Sequence, residues 1–349
     1  MRRRGQAEAG FVLPLTLLLL AAVTVVVSAF GLYAYDSAVA ANRALDAARA
    51  RVEMNATVES LRYALFRRRL TYEGFRAGAP SIDELSRQRR LYERAAPDSA
   101  APTAIRFSGA VYQGVGDTAF AVYDDSALVG INPAGERIQD LLTLLGVDGA
   151  TASALRDRLR DYVDEDELRR LNGGEAPDYE DEGLPQPRNQ RLLNPLEAYW
   201  ILGWEAALER AAAAGGRPLL NLTDFAAGRP NLNTSPLEVL VAVGALRDEE
   251  RSIIVEQRPF TDISALSQVL GRPISLNRTE VTERPSTRLR VVLEHPGSDV
   301  PVATVFSLFL GGYNEEPWAT AWTLRNHVFG LDYDEQQLTR PALLAPHTR

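Results

Sequence analysis

The sequence predicts an α+β protein with a long N-terminal transmembrane helix continuing as a spine, an antiparallel sheet head, and a large all-α domain inserted between strands. Three observations lead there. Residues Gly10 to Tyr35 carry no charged side chain. Strand-like runs fall in two groups, one on either side of the chain's middle, and neither group alone makes a good sheet. The stretch between them has helical periodicity throughout, so the two groups form one sheet and the helices interrupt it.

The first element is the apolar run GFVLPLTLLLLAAVTVVVSAFGLYAY, preceded by MRRRGQAEA. At about 1.5 Å per residue, ~25 helical residues cover the roughly 30 Å of bilayer hydrocarbon. Arg2, Arg3 and Arg4 precede the run and no comparable cluster follows it, which places the N-terminus in the cytoplasm and the remainder outside. A cleavable secretory signal is the competing reading, since Ala38-Val39-Ala40 is a small-x-small site. The run exceeds the about 7 to 15 residues of a signal's apolar region, and Asp36 sits in the cleavage zone. Residues 36–70 are rich in Ala, Leu and Arg and free of Gly and Pro, with Val58, Leu61 and Leu65 at helical spacing, so the helix continues to about Leu70. Gly74, Gly78, Pro80, Pro97 and Pro102 mark a loop that carries one short helix around Asp83 to Arg94.

Alternation and aromatic content predict a hairpin from Ala104–Gln113 and Asp117–Asp125 around Gly114-Val115-Gly116. Three further strands are expected at Thr287–His295, Ala303–Gly311 and Trp318–Arg325. The chain of 349 residues is 46% hydrophobic and 24% charged, enough for a sizeable core, and its formal charge of -8 argues against nucleic acid as a partner. With no Cys, thiol catalysis, disulfides and thiolate metal sites are excluded. His295, His327 and His347 are scattered and no nucleophile motif is present, so the chain reads as a non-enzyme.

Two motifs in the helical block stand out. Asp161, Asp164, Glu165 and Asp166 crowd one loop, and Glu175, Asp178, Glu180 and Asp181 follow Gly173-Gly174. Such a loop is either solvated or bridged by a hard cation, for which flexible oxygen ligands suit Ca²⁺ better than Mg²⁺. Its spacing is not that of an EF-hand. The second motif, NLNTSPLEVL at Asn231 to Leu240, resembles a helix-hairpin-helix segment of DNA-binding competence proteins, which makes a membrane-anchored DNA receptor the alternative reading. Thr234 or Ser235 is expected to cap its helix, with Pro236 in the first turn and Glu238 near the N-terminal end. A phosphate-binding hairpin needs a Gly-x-Gly turn, and this chain has Gly244-Ala245-Leu246-Arg247 there, so a structural helical hairpin is expected.

The basic leader ending in Gly10, with Phe11 opening the apolar helix, resembles the class III signal of type IV pilins and type II secretion pseudopilins. That resemblance implies cleavage between Gly10 and Phe11 by a prepilin peptidase, N-methylation of Phe11, and retention of the helix. Most members carry a glutamate at the fifth mature position, which pairs with the preceding subunit's N-terminal ammonium; here it is Leu15. Leaving that ammonium unpaired in an apolar bundle costs several kcal/mol, so the residue implies a subunit with no predecessor, at the filament tip.

Taken in order, VYDDSALVGINPAGERIQDLLTLLGVD, the acidic segment with its continuation LLNPLEAYWILGWE, and GRPNLNTSPLEVLVAVGAL resemble the minor pseudopilin K family of type II secretion. The resemblance implies a pilin-type head and a structural Ca²⁺ held by Asp161, Asp164 and Asp166 on one turn and Glu175 and Asp178 on the next. Here the second turn reads Gly174-Glu175-Ala176-Pro177 where the family has Gly-Ala-Glu. It further implies a single-pass protein of the bacterial inner membrane with a periplasmic C-terminal domain. Its partners would be the other minor pseudopilins, the major pseudopilin, the inner-membrane secretion platform and the prepilin peptidase. The expected organisation is leader 1–10, transmembrane helix 11–35, spine 36–70, head 71–132 and 273–349, and helical insertion 133–272.

Overall fold

The computed structural model describes residues 12–67, 70–76, 103–132, 137–225, 229–276, 280–308, 318–334, 337–341 and 344. The processing residues Gly10 and Phe11 and the short helix expected around Asp83 to Arg94 lie outside them. Helix α1, Val12–Arg67, runs for 56 residues without a break. Its first half, from Leu13 through Tyr35, is exposed and is long and apolar enough to cross a membrane. Farther on, Ala50, Met54, Val58, Leu61 and Leu65 recur every three or four residues and turn inward. By Leu70, about where the composition placed the helix end, the chain has left the helix and bridges to Phe75.

The stripe packs on a five-stranded antiparallel sheet. Its strands are β3 (Ser108–Gln113), β4 (Ala119–Asp124), β7 (Arg288–Glu294), β8 (Val302–Leu308) and β9 (Trp318–Arg325), hydrogen-bonded in the order β3-β4-β7-β8-β9. Period-two alternation sorts the residues of β4 between two cores. Phe120 and Val122 join the spine, with Val291, Leu293 and Phe306, while Ala121 and Tyr123 face Leu220, Val292, Ala303 and Phe329 on the other side. The sheet is therefore covered on both faces, which is why β4 and most of β7 and β8 are buried along their whole length.

Two strand features depart from expectation. The run 104–113 is broken at Phe107: its first part, β2 (Thr103–Arg106), leaves the main sheet to pair with β1 (Gly74–Arg76), which lies in what was expected to be loop. Gly74 belongs there for close approach, since a Cβ would sit 1.9 Å from the Ile105 carbonyl oxygen. At Gly109, φ is +85° and the Tyr123 ring fills the space a side chain would need, which produces the bulge between Ser108 and Val111.

Everything between Asp124 and Arg288 lies outside the main sheet. It comprises α2 (Arg137–Leu144), α3 (Gly149–Val163), α4 (Ala176–Asp181), α5 (Trp204–Ala213), α6 (Leu237–Ala242), α7 (Arg251–Gln257) and α8 (Ile263–Leu270). The block is not helical throughout, because β5 (Val129–Gly130) and β6 (Leu222–Thr223) form a short parallel pair at its base. Asp148 starts α3 by accepting the Thr151 N–H at 3.0 Å. The helix then buries Ala152, Leu155, Leu159 and Tyr162 against Tyr179, Trp204 and Leu208. A separate small core holds α6 to α8 through Leu240, Ile254, Phe260 and Leu266.

Buried charge joins block to sheet. Arg290 is fully buried, donates to the Leu219 and Leu222 carbonyls at 3.0 and 2.7 Å, and ion-pairs with Asp125. Arg288 reaches Asp125 and Asp224, and Asp125 also accepts from Thr223. Thr234 and Ser235 belong to this seam and do not cap a helix: Thr234 donates to Asp124 at 2.9 Å, Ser235 donates to the Ala127 carbonyl at 2.6 Å, and Pro236 occupies the N-cap position of α6. The side chains that looked like caps are used by a strand end more than a hundred residues earlier.

Burial pushes the Asp124 carboxyl up to about 6, against the hydrogen bonds from Ser286 and Thr234 and with the nearby Asp125 charge adding to the rise. A carboxyl whose folded value is raised stabilises the fold below its unfolded value near 4 and loses that contribution as pH climbs through 6. Asp124→Asn is therefore expected to flatten the stability profile over this window by up to about 3 kcal/mol. Urea unfolding of both proteins at about pH 4 and about pH 7 isolates the group. An unchanged difference between the two pH values would mean Asp124 is not the titrating residue.

Candidate cation site in the acidic loop

Helix α3 closes at Val163, and the chain returns to the same place at Glu175, the residue before α4. Asp161 organises the return. It faces inward and is fully buried, and its Oδ2 accepts the backbone N–H groups of Arg170 and Gly174, both at 3.0 Å. Gly173 permits this, because a Cβ would lie 1.7 Å from that same oxygen. Gly174 meets a second wall, with its Cβ position 2.5 Å from Leu202 Cδ1. The glycine pair expected merely to flank the acids is thus shaped around Asp161.

The Arg170 guanidinium caps this arrangement: its Nη1 donates to Asp161 Oδ1 and, at 2.5 Å, to Asp164 Oδ2. Next to it, Glu175 is only 5% exposed, and neither of its carboxylate oxygens has a hydrogen-bond partner. Asp164 Oδ1 is likewise buried and unpartnered. Burial first, and then the charges of Asp161, Asp164, Glu167 and Asp166, push Glu175 up to about 7. An unpaired buried carboxylate is costly, and the orphan oxygens of Glu175 and Asp164 fit a hard cation that coordinates through oxygen.

Of the five expected ligands, Asp161 and Asp164 share the Arg170 guanidinium, and Glu175 stands near enough to feel both their charges. The other two carboxylates are engaged in local structure. Asp166 accepts the Leu168 N–H at 2.8 Å. Asp178 accepts the Glu175 N–H at 2.9 Å and pairs with Arg169 at 2.8 Å. Arg170 itself is a participant that spacing did not reveal; nothing in an acidic run marks which neighbouring arginine folds back into it.

Among the described residues, the trio of acids and histidine whose ligand atoms lie within 4.8 Å of one another is elsewhere: Glu53, Asp117 and His295. Glu53 on the spine accepts the Asp117 N–H and His295 Nε2, both at 2.9 Å, while Arg49 donates to its other oxygen at 2.9 Å. His295 Nδ1 accepts the Gly297 N–H at 2.8 Å, which assigns the proton to Nε2. Burial opposes ionisation of Glu53, yet the bonds from Arg49, the Asp117 amide and His295 hold it down at about 2. With both ring nitrogens engaged, the trio is a clasp between spine and head.

The geometry of the acidic loop sits inside a recognised sequence family. The model of the first domain of type II secretion system protein K matches residues 127–213, from the end of β4 through α5. Residues 127–213 are similar to the first domain of type II secretion system protein K. Asp161, Arg170 and Glu175 all lie within the matched region, whereas the segment from Asn231 onward lies beyond it. A curated relative, type II secretion system protein K of Dickeya chrysanthemi, is 29% identical over 143 residues, covering 40% of this chain and 38% of the relative. The matched region thus spans about two-fifths of that relative's length. A solved chain from the GspK-GspI-GspJ complex of the enterotoxigenic Escherichia coli type 2 secretion system is similar with a TM-score of 0.45 at 16% identity, covering 62% of this chain and 83% of that one.

Proposed function

We propose that this chain is a non-enzymatic minor pseudopilin of type II secretion. In this reading it caps the pseudopilus tip together with other minor pseudopilins, helps initiate assembly on the major pseudopilin, and supports export of folded proteins. The observation that carries the reading is the protein K domain, which sits between β4 and β7 of a sheet mounted on one long apolar helix. Leu15 supports the tip position, for it lies exposed in the apolar half of α1 where an interior subunit needs a carboxylate. The leader places the N-terminus in the cytoplasm, with the helix in the bacterial inner membrane, the head in the periplasm, and processing by prepilin peptidase between Gly10 and Phe11. The secretion platform is the remaining partner. Structural Ca²⁺ is held by Asp161, Asp164 and Glu175, with Asp166 and Asp178 shaping the loop around them.

The turn that a DNA receptor would turn toward phosphate has its amides already engaged. In the turn after α6 the N–H groups of Gly244, Ala245 and Leu246 all bond to carbonyls of α6, at 2.9, 3.0 and 3.2 Å, and Ala245 and Leu246 are buried. No amide of these three remains to face a nucleic-acid backbone.

The expected mature protein begins at N-methylated Phe11 by intact mass, and cross-links to minor pseudopilins at substoichiometric level. Leu15→Glu should leave membrane insertion intact and let the overexpressed protein enter the filament body. A mature N-terminus after Ala40, or cross-links along the whole filament at the abundance of the major subunit, would refute the assignment.

A further inference from the structure

The acidic loop contains its own cation. We infer that Arg170 is a built-in counter-ion that holds the loop folded without metal and competes with a divalent cation for Asp161 and Asp164. The inference rests on the cation reading of this loop and adds to it a residue that sets how tightly the cation is held.

The arrangement has three parts. First, Arg170 is tethered twice to the same carboxylate, through its backbone N–H to Asp161 Oδ2 and through its guanidinium to Asp161 Oδ1. The two tethers are separable. If the side chain swings out, Asp161 keeps the N–H groups of Arg170 and Gly174, so the loop retains its path. Second, the side chain has somewhere to go, being 39% exposed while Asp161 beneath it is fully buried. Third, the guanidinium serves only one side of the cluster. It bridges Asp161 and Asp164 Oδ2 but leaves Asp164 Oδ1 and both Glu175 oxygens without partners.

Charge and coordination decide the consequence. One guanidinium serves the two carboxylates of Asp161 and Asp164, so the loop retains unneutralised negative charge while Arg170 is in place. A divalent cation collecting oxygens from Asp161, Asp164 and Glu175 would neutralise more of it and satisfy the orphan atoms, since Ca²⁺ takes about six to eight oxygens. It cannot do so beside a guanidinium on the same oxygens, because the two positive charges would repel at contact distance. Entry of metal and exit of Arg170 are therefore one exchange, and the apparent affinity is lowered by the work of displacing the side chain.

The test is calcium titration of the full chain in detergent after stripping with chelator, by calorimetry and by melting, for the wild type, Arg170→Gln and Arg170→Lys. Arg170→Gln is expected to bind Ca²⁺ at least about tenfold more tightly. Its metal-free melting temperature should fall and its calcium-loaded one should match the wild type. Arg170→Lys, which keeps the charge but loses the planar fork, is expected to fall between them. Should Arg170→Gln fail to fold without metal, the Lys variant carries the comparison, and an affinity equal to wild type would overturn the inference. Equal affinities in wild type and Arg170→Gln, or weaker binding in Arg170→Gln, would overturn the inference while leaving the cation site standing. Absence of Ca²⁺ binding in all three would remove the site itself, and the inference with it.

Discussion

Asp125→Ala is expected to cost about 3–5 kcal/mol, the usual result of deleting one partner of a buried ion pair. The loss comes from what remains behind. Arg290 stays fully buried with the Leu219 and Leu222 carbonyls and the Trp322 ring beside it but no carboxylate paired to it, and Arg288 keeps Asp224 but loses its second carboxylate. Thr223 loses the acceptor that lies 98 residues away in sequence. Equilibrium unfolding in urea would show the midpoint shift. A double-mutant cycle with Arg290→Met then separates the stranded charge from the lost contact. Partial recovery is expected in the double variant, since the two carbonyls that Arg290 served would become orphans in turn. A cost below about 1 kcal/mol for Asp125→Ala would mean that water reaches the seam.

The second large effect lies within the helical block. Trp204 is fully buried at the start of α5, and its indole N–H donates to the Leu155 carbonyl of α3 at 2.9 Å. Trp204→Ala should cost about 3–5 kcal/mol through the cavity and that lost bond together. The damage should stay local. Trp204 packs with Leu155, Leu159, Tyr179 and Leu208 in a core distinct from the one shared by spine and sheet. Hydrogen exchange is expected to accelerate in α3 and α5 and to remain slow in β7 and β8. Uniform acceleration in all four elements would show that block and head unfold as one unit.

The elements that could be read in advance are those whose pattern is local. The stripe Val58, Leu61 and Leu65 repeats at helical spacing and proved to be part of the face laid on the sheet. The alternation and aromatic content of Asp117–Asp125 likewise announced a strand, although not that both its faces would be covered. What stayed hidden depends on distant partners. Strand β1 looked like loop because Gly74 is a turn residue in most settings, and only the nearness of Ile105 explains it. Thr234 and Ser235 have the chemistry of caps, but Asp124 and Ala127 claim them first. At the candidate site, the acidic run was visible, whereas its division into the pair on Arg170, Glu175 beside it and two locally used carboxylates follows from where Arg169, Arg170 and Leu168 fall. The Glu53–His295 clasp spans 242 residues and has no sequence signature at all.

The pairing of β4 with β7 has one more consequence. Asp124 and Leu289 are register partners, so the chain leaves the sheet and re-enters it at neighbouring points of one antiparallel ladder. Closing that gap requires only the distance between paired strands, about 5 Å. Topologically, β4 and β7 are the two arms of a hairpin, and the whole helical block is carried in its turn. The sheet's hydrogen bonding is indifferent to what the turn contains. Such a scaffold can acquire, exchange or enlarge its passenger without altering strand order. The acidic loop thus belongs to a module that could change its chemistry while the part of the molecule that packs on the spine stays as it is.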